Sequence, residues 1–335
     1  MPRNLILGTV SALTLAGAAQ ADGPWVVADI PPVHSLVAMV MQGVGTPDLL
    51  VRPGASPHGY SLRPSEAEAL DRADAVFWIG EGLEPWLPAS LEALAADART
   101  VELTEVKGTT ELEYRQGATF EQHNHDDHDE HHHDEAHDEH EHEHEHEHEH
   151  EHDDHDDDHH VHDHHGHDPH MWLDPENASV WLDVIANELA ALDPRNAETY
   201  RANANSGKAM LAEITSEINA ELDPVRGKNF IVFHDAYQYF ENRFDIAASG
   251  SISIGDASTP SPARIKEIQN KVDELDITCV FAEPQFKLDL IETVFRDSDT
   301  KIGLIDPLGS DLEPGAELYP QVLRNLGSNL ADCLT

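Results

Sequence analysis

The stretch from Glu121 to Asp168 places the strongest constraint on how this 335-residue chain can fold. It holds 21 of the 25 histidines and 22 of the 65 acidic residues, but no lysine, no arginine and almost no apolar side chain. A segment of this composition cannot bury a core that would offset its ordering entropy, so we expect a disordered loop. The hydrophobic core must therefore come from the sequence on either side of this His/acid-rich loop.

Strands alternate with helices in both flanking parts of the sequence. Before the loop, short apolar runs predict strands at residues 25–30, 48–51, 75–80 and 100–104. After the loop, similar runs predict strands at residues 229–233, 277–282 and 301–305. This alternation predicts an α/β fold with parallel sheets covered by helices. The chain length favours two such lobes, with one large α/β domain as the alternative.

A long helix is predicted between the two halves. Apolar residues recur at three- and four-residue spacing up to Leu222, which predicts a helix over residues 195–222. At 1.5 Å per residue it would be roughly 40 Å long, enough to run along both lobes. The predicted division is therefore an N-terminal lobe at 22–193, this linking helix, and a C-terminal lobe at 228–335.

The first 21 residues have the pattern of a secretory signal. Arg3 precedes an apolar run at 5–16, and Ala19-Gln20-Ala21 matches a cleavage site. We expect a mature protein that begins at Asp22 and is exported, which in a bacterium with two membranes means the periplasm. No later segment is apolar for long enough to insert into a membrane.

The net charge limits the classes of binding partner, and the two cysteines predict a disulfide. The formal net charge of −45 disfavours nucleic acid and anionic membranes and favours cations. In an oxidising compartment the two cysteines, Cys279 and Cys333, are expected to form a disulfide, with a two-cysteine metal site as the weaker alternative.

Three histidines outside the loop are candidate metal ligands. His58 lies beyond the second predicted strand, His170 before a helix, and His234 at the end of a strand, while Asp306 also follows a strand directly. Ligand sites of parallel sheets gather at the carboxyl ends of strands. Three imidazoles and one oxygen suit tetrahedral zinc, with Asp306 or water as the fourth ligand. We assign His34 an ordinary polar role.

Five segments together resemble the zinc-uptake substrate-binding proteins of ATP-binding-cassette importers, the ZnuA type. They are "PGASPHGYSLRPSEAEAL", "HMWLDPENA", "FHDAYQYFENRF", "CVFAEPQF" and "IDPLGSDLEPG". The resemblance implies two pseudo-symmetric α/β lobes bridged by one rigid helix, with zinc held between them by His58, His170 and His234. It also implies a Cys279–Cys333 disulfide.

The resemblance further implies the biological role and its partner. We expect a monomeric, non-enzymatic carrier that passes zinc to a membrane permease. Related manganese-binding proteins have Glu at the position matching His234, so His favours zinc. Some zinc-binding members have a coordinating Glu immediately before the first ligand, where this chain has Pro57. The fourth ligand therefore stays open between Asp306 and water.

The His/acid-rich loop is interpreted as an accessory zinc-capture element, with a solubilising loop as the alternative. It lacks the rigid scaffold that a tight site requires, so we expect weak and interchangeable binding. Its candidate weak ligands are His123, His125, His128, His131, His132, His133, His140, His142, His144, His146, His148, His150, His152, His162, His164, His165 and His167.

Two other functions remain possible from the residues alone. A three-histidine site with an open position could activate water in a zinc hydrolase, for which Glu283 is the candidate general base. Structural pairing is the alternative role of Glu283. A passive zinc buffer without a permease is the other possibility.

Overall fold

The computed structural model describes residues 23–115, 120, 166–253, 260–286, 291, 294–295, 298 and 300–335. The predicted signal segment and nearly all of the His/acid-rich loop lie outside these residues. No helix in the described ranges is both long enough and apolar enough to cross a membrane.

The N-terminal lobe is built on a parallel four-stranded sheet with strand order β2-β1-β3-β4. Its strands are β1 (Val26–Ala28), β2 (Asp48–Leu49), β3 (Ala75–Trp78) and β4 (Arg99–Glu102). Its helices are α1 (Pro31–Val40), α2 (Pro64–Asp71), α3 (Leu87–Leu94) and α4 (Pro175–Leu192).

The C-terminal lobe repeats this arrangement with strand order β6-β5-β7-β8, again all parallel. Its strands are β5 (Phe230–His234), β6 (Gly250–Ser253), β7 (Cys279–Ala282) and β8 (Lys301–Leu304). Helices α6 (Gln238–Phe244), α7 (Pro262–Leu275) and α8 (Leu318–Leu334) belong to this half. The predicted fold class of two α/β lobes with parallel sheets is confirmed.

The starts of several helices follow directly from local sequence. Asp174 precedes Pro175 and accepts a hydrogen bond from Glu176 N (2.9 Å), which caps α4. Ser261 does the same for α7 through Arg264 N (3.2 Å). These caps fix where each chain segment enters its helix.

The linking helix α5 (Ala197–Leu222) has 26 residues and packs on α1, α4 and α8. Its buried side forms one stripe, so α5 contributes to a hydrophobic core that continues from one lobe into the other. At Gly207 an added Cβ would lie 2.9 Å from Leu182 Cδ1, so α4 and α5 approach closely there. The stripe consists of Tyr200, Ala204, Gly207, Leu211, Ile214, Ile218 and Leu222.

The predicted disulfide between Cys279 and Cys333 is present and joins β7 to the end of α8, with Cα atoms 6.1 Å apart. Strand β6 and helix α6 were not predicted from the sequence. Strand β6 reads Gly-Ser-Ile-Ser, which contains one apolar residue, and α6 has only seven residues and no side-chain cap. Both depend on tertiary packing instead of a local signal.

Candidate metal centre

Three histidines from separate parts of the chain meet between the lobes. His58 lies in the loop between β2 and α2, His170 precedes the short 3-10 helix Met171–Leu173, and His234 is the last residue of β5. One ring nitrogen from each lies within 4.8 Å of the others, and they form the one such group in the described part of the chain. The structure therefore brings together the three histidines that were predicted as ligands, although only His234 lies at the end of a strand.

Carboxylates orient two of the three rings. Nδ1 of His170 lies 2.6 Å from Oδ1 of Asp168, and Nδ1 of His234 lies 2.6 Å from Oε1 of Glu283. A neutral imidazole donates its Nδ1–H to such a carboxylate, which leaves the Nε2 lone pair for a metal. The two Nε2 atoms are 3.4 Å apart, so both lone pairs are available at one place.

The site is largely removed from water. His170 and His234 are 5% and 4% exposed, and Asp168 is 2% exposed. Burial raises the pKa of Asp168 to about 7, against the opposing effects of the His170 backbone N–H and the Arg115 charge. A cation bound at the histidines would lower the free energy of the ionised carboxylate by direct attraction.

Aromatic and proline residues hold the walls of the site. The Trp172 ring lies 5.3 Å from the His170 ring, and its Nε1 donates to Pro307 O (2.8 Å). Trp86 Nε1 donates to Pro57 O (2.7 Å), which fixes the backbone immediately before His58. The small cavity at the three histidines is lined by Ser56, Pro57, His58, His170, Trp172, His234, Glu283, Gln285, Phe286, Pro307 and Leu308.

Asp306 does not join the three histidines. Its Oδ1 accepts hydrogen bonds from Leu308 N (3.0 Å) and Gln285 Nε2 (3.0 Å), and its Oδ2 accepts one from Ser310 N (2.5 Å). Both oxygens are therefore used to hold the turn that follows β8, which is the physical reason that this candidate ligand lies outside the group.

Two further histidines lie elsewhere. His34 is buried on α1 with Nε2 3.1 Å from Pro47 O, as expected for an ordinary polar role. His167 is the single accessory candidate within the described ranges; it is half-exposed, with Nδ1 3.4 Å from Glu111 Oε2. The other accessory candidates lie outside the described residues.

Sequence reasoning did not single out Asp168, although "HDPH" places an acid two residues before His170. It did consider Glu283, which the structure pairs with His234. Three imidazoles without a thiol, two of them oriented by carboxylates, suit zinc among the biological divalent cations.

Two α/β lobes, one linking helix and three convergent histidines between the lobes define a metal-binding solute-binding protein. The chain belongs to the ZnuA family, zinc-uptake complex component A periplasmic, whose profile matches residues 26–333.

Its relatives agree with this assignment, and its structural neighbours share the fold. The high-affinity zinc uptake system protein ZnuA of Brucella suis biovar 1 (strain 1330) is 48% identical over 92% of this chain and 91% of the relative. The protein of the same description from Paracoccus denitrificans (strain Pd 1222) is 43% identical over 99% and 98% of the two chains. A crystal structure of ZnuA superposes with a TM-score of 0.72 at 24% identity, covering 94% of this chain and 100% of that one. The Streptococcus pneumoniae AdcAII structure gives a TM-score of 0.69 at 21% identity, covering 93% and 98%.

Proposed function

We propose that this protein captures Zn²⁺ between its lobes in the periplasm and delivers it to the permease of an ATP-binding-cassette importer. The observation that carries the proposal is the convergence of one nitrogen each from His58, His170 and His234 within 4.8 Å. Two of these residues precede the linking helix and one follows it, so a bound ion would join both lobes.

The proposed coordination sphere has three imidazoles and one water. Asp306 is a poor candidate for the fourth position because backbone and side-chain donors already occupy both of its oxygens. A neutral three-histidine set with water retains the tetrahedral geometry that zinc prefers.

We also propose that the His/acid-rich loop captures zinc weakly and raises its concentration near the interlobe site. His167 lies only three residues before His170, so the end of the loop adjoins the proposed site in the chain. Many interchangeable imidazoles among dense negative charge would bind several ions with lower affinity than one oriented group.

A competition titration with a zinc chelator tests the ligand set. Four mature proteins starting at Asp22 are compared: the unaltered chain, a deletion of residues 122–165, His234→Ala and His167→Ala. We expect one tight site in the first two and in His167→Ala, the matched control at an exposed histidine. The tight site should be lost in His234→Ala.

The outcomes separate the two zinc-binding elements. Weaker sites present only with the loop would support its accessory role. Loss of all tight binding in the deletion, with retention in His234→Ala, would place the tight site in the loop and overturn the proposal.

A further inference from the structure

The segment of residues 110–115 passes from one lobe to the other before the His/acid-rich loop begins. At its start, Thr110 N donates to Asn177 Oδ1 (2.6 Å) on α4 of the N-terminal lobe. Two residues later, Leu112 N donates to Tyr239 Oη (2.9 Å) on α6 of the C-terminal lobe. The segment is therefore attached to both lobes within a few residues.

Arg115 ends this segment with a guanidinium shared between two carboxylates of the C-terminal lobe. Its Nε lies 3.1 Å from each Asp235 oxygen, and its Nη2 also contacts Asp235. On the Glu241 side, Nη1 lies 2.7 Å from Oε2 and Nη2 lies 3.0 Å from Oε1. We call Arg115, Asp235 and Glu241 the Arg115 cluster.

The Arg115 cluster is shielded from water. The side chains of Arg115, Asp235 and Glu241 are 17%, 12% and 5% exposed. The Phe120 ring covers the guanidinium at 3.8 Å, and Phe120 N donates to Ser249 O (3.0 Å) beside β6. Shielding matters because partly buried charge pairs keep an attraction that water would otherwise screen.

The cluster adjoins the proposed metal site through the backbone. Asp235 directly follows His234, the proposed ligand of the C-terminal lobe. The segment is also connected to the chain just before His170. Glu113 forms an isolated β-bridge with His167, and Asp168 N donates to Leu112 O (2.8 Å). Arg115 thus lies between the two histidine-bearing parts of the chain.

We propose that the Arg115 cluster holds the two lobes closed on the captured ion, so that Arg115 is a positioning residue that slows metal release. This inference rests on the proposed function. A guanidinium fits the role because its planar fork binds two carboxylates at once, which the single ammonium of lysine cannot do.

The test is the rate of zinc release from the full mature chain loaded with one equivalent of Zn²⁺. Rapid mixing with excess EDTA starts release, and tryptophan fluorescence follows it, since Trp172 packs on His170. The variants are Arg115→Met and Arg115→Lys. The matched control is Arg226→Met, because Arg226 is also partly buried and its guanidinium contacts Asp223 (2.6 Å) and Asn219 (3.0 Å) at the end of α5, without joining one lobe to the other.

We expect Arg115→Met to release zinc at least ~10-fold faster, because loss of one partner of a buried charge pair acts mainly on dissociation. Arg115→Lys should lie between that variant and the unaltered protein, and Arg226→Met should match the unaltered protein. Circular dichroism and melting temperature establish that each variant is folded. Both methionine variants should lose thermal stability, so only the release rate distinguishes the roles of the two arginines.

An unchanged release rate in Arg115→Met, or an equal acceleration in Arg226→Met, would overturn the inference. Failure of the proposed function gives a different result, because the unaltered protein itself would then hold no tightly bound ion.

Discussion

Replacing Glu84 with glutamine should make the stability of the metal-free protein less sensitive to rising pH. Glu84 and Asp29 are both fully buried in the N-terminal lobe. Asp29 accepts hydrogen bonds from Ile30 N (2.6 Å) and Ile79 N (2.5 Å), whereas neither Glu84 oxygen has a hydrogen-bond donor. A protonated Glu84 can donate its own proton to the neighbouring Asp29, which gives the two carboxyl groups one hydrogen bond between them.

The direction of the effect follows from the two pKa values. Burial raises the pKa of Asp29 to about 7, and burial together with the Asp29 charge raises the pKa of Glu84 well above its usual range. The folded protein therefore retains protons that the unfolded chain has already released. The stabilisation that these protons give the folded state is fully present below the pKa values of the unfolded chain. It is lost as the pH rises towards the pKa values of the folded protein.

The magnitude comes from proton linkage. One extra proton in the folded state costs about 1.4 kcal/mol of unfolding free energy per pH unit, so the loss due to Glu84 between pH 6 and pH 8 has an upper limit of about 3 kcal/mol. Glu84→Gln removes this loss because an amide does not titrate and can still donate to Asp29. The assay is urea denaturation with chelator present at both pH values, followed by tryptophan fluorescence.

Glu92→Gln on the exposed face of α3 is the matched control and should keep the pH dependence of the unaltered protein. If Glu84→Gln lost as much stability from pH 6 to pH 8 as this control, the buried pair would not share a proton and the reasoning would be refuted.

Three further predictions concern the metal site, the disulfide and the linking helix. Asp168→Asn should weaken zinc binding ~10–100-fold in a chelator competition, because the imidazole of His170 loses the carboxylate that orients it. Cys279→Ser with Cys333→Ser should lower the unfolding free energy by about 4 kcal/mol in urea, since the loop between the cysteines is long. Gly207→Val should cost about 1–3 kcal/mol in the same assay, because its side chain would force α4 and α5 apart; an unchanged denaturation midpoint would contradict that close contact.

The sequence predicted most strands and the linking helix because their apolar patterns are strong and local. Short elements such as β6 could not be predicted, because their residues show little hydrophobic periodicity. The three histidines could be predicted as a group, since the carboxyl ends of parallel strands converge.

Other parts of the site depend on contacts between residues far apart in the chain. Arg115 and Asp235 are separated by 120 positions, and no local pattern connects them. At Asp306 the sequence pattern was misleading. The residue directly follows a strand, as a metal ligand would, but its oxygens accept hydrogen bonds from backbone N–H groups of the following turn. Sequence spacing places side chains near one another but does not decide which hydrogen bonds each oxygen makes.

The position of α8 has a consequence for how the protein is made. This last helix packs on α1 and α5, Tyr319 N donates to Ser35 Oγ (2.9 Å), and Tyr319 Oη donates to Trp172 O (2.7 Å). The first helix of the fold is thus covered by the last. Folding cannot be completed in order from the amino terminus, because the N-terminal core stays open until the final residues arrive. Synthesis of α8 must therefore come before a finished metal site, and truncations within α8 should harm both lobes.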